Sequence, residues 1–208
     1  MEQVREQIRA TASSIDSQNP TFRGRLGRGR IDPVAALTRS DLPSVRFVGA
    51  SYEDEGGDGN ISASENVTLN VNVKNFLAAA SNLTFTLSTD DNRLTLTNAE
   101  AVLGAVGGGD SATVSFQFQS TLLGEGERLK FRIDMSGTDY ANAELFEILV
   151  NPPQFVDHDT GTIVSSVTGQ GNIGYTGFRT DTTGTGFKFN GVDFLFEGGL
   201  LVSTGPGN

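Results

Sequence analysis

The sequence predicts a mainly β protein: an antiparallel β-sandwich preceded by a short helical segment. Three observations carry that expectation. Between Val45 and Val150, apolar residues alternate with polar ones at a period of two. Turn-forming clusters cut that stretch at short, fairly regular intervals. The opening residues follow a helical period instead: Val4, Ile8, Ala12 and Ile15 form one apolar stripe, with Arg, Glu and Gln elsewhere.

Taken in order, the stripe predicts a helix that Asn19-Pro20 ends, followed by a turn-rich stretch from Thr21 to Arg30 containing Gly24, Gly27 and Gly29. Asp32 caps a second, short helix with Pro33 in its first turn and Val34 to Leu37 in its body. Arg39 to Ser44 reads as a linker. The strongest strand signals are Val67-Leu69-Val71-Val73, Leu83-Phe85-Leu87, Val114-Phe116-Phe118, Leu129-Phe131-Ile133 and Phe146-Ile148-Val150. Val45 to Tyr52, Arg93 to Thr97 and Ala101 to Val106 are weaker candidates. Asp90-Asp91-Asn92, Gly107-Gly108-Gly109-Asp110 and Gly124-Glu125-Gly126 supply turns between them. About seven or eight such strands make a sandwich. Asn151-Pro152-Pro153 ends it, because two prolines cannot continue a ladder. The domains expected are therefore 1–42, 43–151 and 152–208. The last is a glycine-rich start of a further β-domain, with strand-like pieces at Thr162 to Val167, Gly186 to Phe189 and Phe194 to Phe196.

Composition narrows the function classes. The chain of 208 residues is 37% hydrophobic and carries 26 glycines, 14 phenylalanines and no tryptophan. Its apolar residues are grouped into runs, as in a folded, loop-rich protein. A net charge of −10 repels nucleic acid and anionic membranes and suits divalent cations. No apolar run reaches the ~18–20 residues of a membrane helix. Cysteine is absent, which excludes disulfides and thiol chemistry but not export. Met1 leads straight into a charged amphipathic segment rather than a signal sequence, so the chain reads as a fragment with Met1 internal.

The first forty residues resemble the C-terminal end of subtilisin-like (S8) serine peptidases, which finish with a helix of the form QVR..I..TA..ID and then a glycine turn and a G.GRI....AL ending. The carrying residues are Gln3-Val4-Arg5, Ile8, Thr11-Ala12, Ile15-Asp16, Leu26 to Asp32, and Ala36-Leu37. On this resemblance the opening helices are the last piece of an α/β subtilase domain, and their partner is the catalytic body upstream. The family's Asp, His and Ser precede this helix, the serine within Gly-Thr-Ser-Met-Ala, and no such motif occurs here. A Ser-His-Asp relay needs an imidazole as base. The single histidine, His158, lies in the tail between Asp157 and Asp159 and reads as an exposed loop residue. No catalytic residue is therefore expected, and the chain alone is expected to be inactive. Residues Val45 to Val150 resemble the immunoglobulin/fibronectin-like and CARDB sandwiches appended to secreted bacterial proteases, on Ser64 to Leu69, Val73-Lys74-Asn75 and Gly107 to Thr113. The resemblance implies an extracellular or cell-surface bacterial protein whose sandwich is a spacer, stabiliser or docking module, with a cell-surface or substrate protein as a further partner. The alternative is an adhesion or ligand-binding module unrelated to proteolysis.

One stretch has metal-site spacing. With Asp54 at position 1 of a twelve-residue calcium loop, Asp58 falls at 5, Gly59 at the sharp turn at 6, Asn60 at 7, Ser62 at 9 and Glu65 at 12. Ile61 takes the apolar position between Asn60 and Ser62, while Gly56 leaves position 3 without a ligand. Calcium held by Asp54, Asp58, Asn60, Ser62 and Glu65 is one reading, and a solvated acidic hairpin is the other. Gly169-Gln170-Gly171-Asn172-Ile173-Gly174 spells a dinucleotide fingerprint, but the Gly/Thr-rich run after it cannot supply the helix such a site needs. Arg23 to Arg30 is basic but short, a poor nucleic-acid signal on an acidic chain. Asn60, Asn66 and Asn82 head formal glycosylation triplets that matter only on a eukaryotic secretory route. Phe116, Phe118, Phe131 and Phe146 alternate as core residues should.

Overall fold

A computed structural model describes residues 1–22, 26–138, 140–152, 155–168, 172–173, 186–193 and 198–199. Backbone contacts divide the chain into two compact units, Met1–Leu123 with Arg128–Ile148, and Gly124–Glu127 with Leu149–Asn208. The first forty residues thus belong to the same unit as the strands that follow.

In that first unit two four-stranded antiparallel sheets form the sandwich, one ordered β1-β2-β6-β4 and the other β5-β3-β7-β8. The strands are β1 (Val45–Asp54), β2 (Val67–Asn75), β3 (Ala80–Ser88), β4 (Leu94–Asn98), β5 (Glu100–Val106), β6 (Ser111–Ser120), β7 (Glu127–Gly137) and β8 (Tyr140–Val150). Each strongly alternating run is a strand because one face is buried and the other is wet. Val67, Leu69, Val71 and Val73 are fully buried, and in register they oppose Phe118, Phe116, Val114 and Ala112. Across the sandwich Phe118 of β6 meets Phe131 of β7 at 5.7 Å, and Phe131 stacks on Phe146 at 5.6 Å. Phe47 of β1 completes the row, 4.5 Å from Phe146. The register of β1 shifts between Phe47 and Gly49, and Val48 is left half exposed.

Asn75 ends β2 inside the core, with no exposure. Its Oδ1 accepts the Ser44 N–H at 3.0 Å, and its Nδ2 donates to the carbonyls of Ala78 at 2.7 Å and Val106 at 3.0 Å. One amide side chain thereby ties the entry strand, the β2–β3 turn and the end of β5 together.

The opening segment departs from expectation. The helix α1 spans Glu2–Ala10 and does not reach Ile15. Thr11 turns its hydroxyl back onto the Gln7 carbonyl at 2.8 Å, and Ser13 then pairs with Arg30 through N–H···O bonds of 2.8 and 2.9 Å. Gly29 permits that pairing, since at φ +101 a Cβ there would lie 2.1 Å from the Ser13 carbonyl oxygen. Ala12 and Ile15 therefore lie outside any helix. The second helix, α2 (Pro33–Thr38), follows the expectation, with Asp32 Oδ1 accepting the Ala35 N–H at 2.9 Å. Arg39 to Ser44 forms no helix or strand, although Ser44 at its end is buried.

The second unit contains an antiparallel sheet ordered β13-β12-β10-β11-β14, with β9 also paired to β10. Its strands are β9 (Phe155–Thr160), β10 (Ile163–Thr168), β11 (Asn172–Ile173), β12 (Phe187–Phe189), β13 (Val192–Asp193) and β14 (Gly198–Gly199). His158 is exposed on β9, opposite Ser165, and so sits in a strand rather than a loop. The expected strand at Phe194 to Phe196 and most of the Gly169–Gly174 motif lie outside the described residues.

Candidate functional site

The way α1 meets the sandwich inverts the usual amphipathic rule. Glu6, on the face opposite Val4 and Ile8, is the one residue of α1 that is fully buried. Its carboxylate accepts from Arg46 Nη1 at 3.0 and 3.1 Å and from the Ser44 hydroxyl at 3.0 Å, with Arg5 Nε at 3.2 Å on its flank. Arg46, on β1, is shared. Its other edge pairs with Glu144 of β8, with Nη2 3.1 Å from Glu144 Oε2. Asn142 donates to Glu144 at 2.9 Å, and the Tyr140 hydroxyl accepts the Val45 N–H at 3.0 Å. Arg28 reaches the Ala141 carbonyl at 3.1 Å and Asn142 Oδ1 at 3.3 Å, so the turn before α2 is fastened to the same edge.

Burial alone would raise the Glu6 pKa, but the hydrogen bond and charge of Arg46, with Ser44 and Arg9, hold it below the ordinary carboxylate range. Desolvation pulls the Arg46 guanidinium down, and Glu144 and Glu6 more than reverse that, so it is raised. Desolvation likewise pushes the Tyr140 phenol up to about 12. The acids and bases of this cluster neutralise one another, and their bonds fasten α1 to β1 and β8.

The apolar side of the same helices is left open. Val4, Ile31, Val34 and Leu37 are 63%, 61%, 71% and 88% exposed. With Ile8, Ala36 and Leu77 the first, second and fourth of these line a groove of about 780 Å³ between α1, α2 and the β2–β3 turn. Gln7 holds the two helices together, its Nε2 donating to the Ala36 carbonyl at 3.2 Å and to that of Arg39. Those bonds satisfy carbonyls at the end of α2 that no helical N–H reaches.

The acidic loop between β1 and β2 has part of the expected geometry. Gly59 takes φ +80, as the sharp turn at position 6 demands. Asp54 and Glu65 converge across Gly56, where a Cβ would lie 3.0 Å from Glu65 Oε1 and 3.4 Å from Asp54 Oδ2. These two hard-oxygen donors fit calcium chemistry. Both are also engaged by the loop's own backbone. Asp54 accepts the N–H groups of Asp58 at 2.9 Å and Gly59 at 3.1 Å, and Glu65 accepts those of Gly56 and of Ser62, the latter at 2.7 Å. Desolvation would raise the Asp54 pKa, yet the backbone N–H groups of Asp54, Asp58, Gly59 and Gly57 together hold it low. Asp58 Oδ1 instead accepts the Asn60 N–H at 2.8 Å. Of the five expected ligands, then, Asp54 and Glu65 are brought together. Among the described residues no group of three or more His, Cys, Asp or Glu side chains is placed to hold a metal ion.

No family model matches the sequence, and no curated protein matches it. Among solved structures 43 chains match. One is the secreted serine protease VesC from Vibrio cholerae, 13% identical, with a TM-score of 0.30. The match covers 74% of this chain and 44% of that chain, so the present chain spans less than half of the neighbour's length. A TM-score of 0.30 is a weak likeness. Among the described residues no helix is long and apolar enough to cross a membrane.

Proposed function

We propose that this chain is the non-catalytic C-terminal portion of a secreted subtilisin-like serine protease. In this reading α1, the Gly29 turn and α2 seat against an upstream catalytic body, and the sandwich serves as spacer, stabiliser or docking module. The observation that supports it is the inverted burial of α1. A charged residue is buried and anchors the helix to the sandwich, while Val4 and Ile8 face an open groove shared with α2. Two short helices that expose Val4, Val34 and Leu37, with Ile31 exposed just before the second, are costly unless something apolar covers them. The sequence resemblance of the first forty residues names the covering body. Calcium at Asp54 and Glu65, aided by Asp58, Asn60 and Ser62, is part of the same proposal, as is an extracellular or cell-surface location.

Val4→Lys and Leu37→Lys test the reading. In the isolated chain of 208 residues both sites are exposed, and each change is expected to shift stability by no more than about 0.5 kcal/mol. In a polypeptide that also carries the upstream frame, each is expected to cost about 2 kcal/mol and to lower the yield of active protease. Neutral behaviour in both settings sinks the proposal.

A further inference from the structure

We propose that the outer edge of β5 pairs with β5 of a second copy of this chain, joining two sandwiches through one continuous antiparallel sheet. This inference is independent of what occupies the α1–α2 groove.

A sheet edge is a row of unpaired N–H and C=O groups, and natural proteins guard it. Three of the four edges in this sandwich are guarded. β1 and β8 are tied to each other by Arg46–Glu144 and by the Tyr140 hydroxyl on the Val45 backbone. β4 is five residues long, and its register is broken between Leu96 and Asn98. β5 has none of these devices. It runs seven residues, Glu-Ala-Val-Leu-Gly-Ala-Val, in unbroken register with β3, without proline or a basic residue and with Glu100 as its one charge. It is terminal in its sheet, and among the described residues nothing pairs with its outer side.

Which groups face outward follows from the ladder. The Leu87 N–H donates to the Ala99 carbonyl at 2.8 Å, and Leu87 and Ala99 continue the β3–β5 register. Alternation then turns Ala101, Leu103 and Ala105 toward β3 and leaves the N–H and C=O of Glu100, Val102 and Gly104 facing out, with the N–H of Val106, whose carbonyl is taken by Asn75 Nδ2 at 3.0 Å.

The edge is self-complementary about a two-fold axis at Leu103. Val102 then meets Gly104, Ala101 meets Ala105 and Glu100 meets Val106 of the other copy. About six backbone hydrogen bonds form, and no carboxylate opposes another. Val102, 73% exposed in one copy, packs over the bare Gly104 of its mate. The small residues Ala101, Gly104 and Ala105 keep the approach flat. A peptide strand from an unrelated protein lacks the two-fold match, so the second copy is the occupant the sequence favours.

Sedimentation velocity on the 208-residue chain, from micromolar to several hundred micromolar, tests this. A reversible dimer with a micromolar dissociation constant is expected. Gly104→Pro removes an outward N–H while leaving the β3 ladder intact. It is expected to weaken association at least tenfold with little change in the monomer's far-UV spectrum. Val102→Lys, a side chain that already faces solvent, is expected to act in the same direction. Leu103→Cys, the sole thiol in the chain, is expected to form a symmetric disulfide under mild oxidation in the wild-type edge but not with Gly104→Pro added. A chain that stays monomeric throughout the range overturns the proposal, whether or not the edge takes up an added peptide. So does a dimer that Gly104→Pro and Val102→Lys leave equally tight.

Discussion

Deleting the Glu6 carboxylate is expected to release α1 while leaving the sandwich folded. A helix of nine residues is marginal by itself in water, so its persistence rests on what holds it. Glu6→Ala removes the acceptor of Arg46 Nη1 at 3.0 and 3.1 Å and of the Ser44 hydroxyl at 3.0 Å. Hydrogen bonds to charged groups contribute about 1.5–3 kcal/mol each. Breaking a buried ion pair costs about 3–5 kcal/mol when the remaining charge is stranded. Here Arg46 keeps Glu144, so the lower end applies, about 3 kcal/mol. At about 1.4 kcal/mol per decade that is a roughly 150-fold rise in the population with α1 opened. Native-state amide exchange reads this directly. The amides from Glu6 to Ala10 should lose protection by about that factor, while those of Leu69, Phe116 and Phe131 in the core change little. An exposed ion pair would contribute at most about 1 kcal/mol, roughly fivefold. A loss of protection in α1 below fivefold would therefore refute the anchor.

Further outcomes follow from the same contacts. Because the pKa of Glu6 is depressed in the folded chain, its stabilising contribution is complete above the ordinary carboxylate value of 4.5 and is lost as pH falls through the lowered one. Trypsin cleavage after Arg5 and Arg9 lies outside the enzyme's range at such pH, so pepsin nicking of the first ten residues, measured from pH 5 down to 2, should rise before that of the core strands. Asn75→Leu keeps volume but strands the Ser44 N–H and the carbonyls of Ala78 and Val106; a loss of about 3 kcal/mol in urea unfolding is expected, and under 1 kcal/mol would deny Asn75 its linking role. If the acidic loop takes calcium, millimolar calcium raises the melting temperature, excess chelator lowers it, and Glu65→Gln removes the difference; a melt indifferent to all three dismisses the ion. The chain alone should not turn over a fluorogenic peptide, and turnover abolished by a serine-directed inhibitor would contradict its non-catalytic reading.

The strands were legible because each of the main ones has one wet and one dry face, so period two survives in the sequence from Val67 through Ile148. The cap of α2 was legible because Asp32-Pro33 has a single local meaning. The length of α1 was not. Its apolar stripe continues through Ala12 and Ile15, but the Ser13–Arg30 bridge, set by Gly29, overrides the periodic signal. Nor could the Glu6 anchor be read. Glu6, Arg46 and Glu144 are far apart in the chain, and a charged position opposite an apolar stripe ordinarily faces solvent. In the acidic loop, Gly59 takes φ +80 at the position where the spacing puts a sharp turn, and Asp54 and Glu65 approach one another across Gly56. Spacing could not show that backbone amides already occupy both carboxylates, since N–H direction depends on dihedrals the sequence does not display.

The claim that the open face of α1 and α2 fits a protease body is tested most directly by the DNA immediately upstream of the Met1 codon. The account predicts an open frame running in register into Met1 and encoding Asp, His and Gly-Thr-Ser-Met-Ala segments. An in-frame stop just before Met1, or a continuous frame lacking those segments, would contradict it.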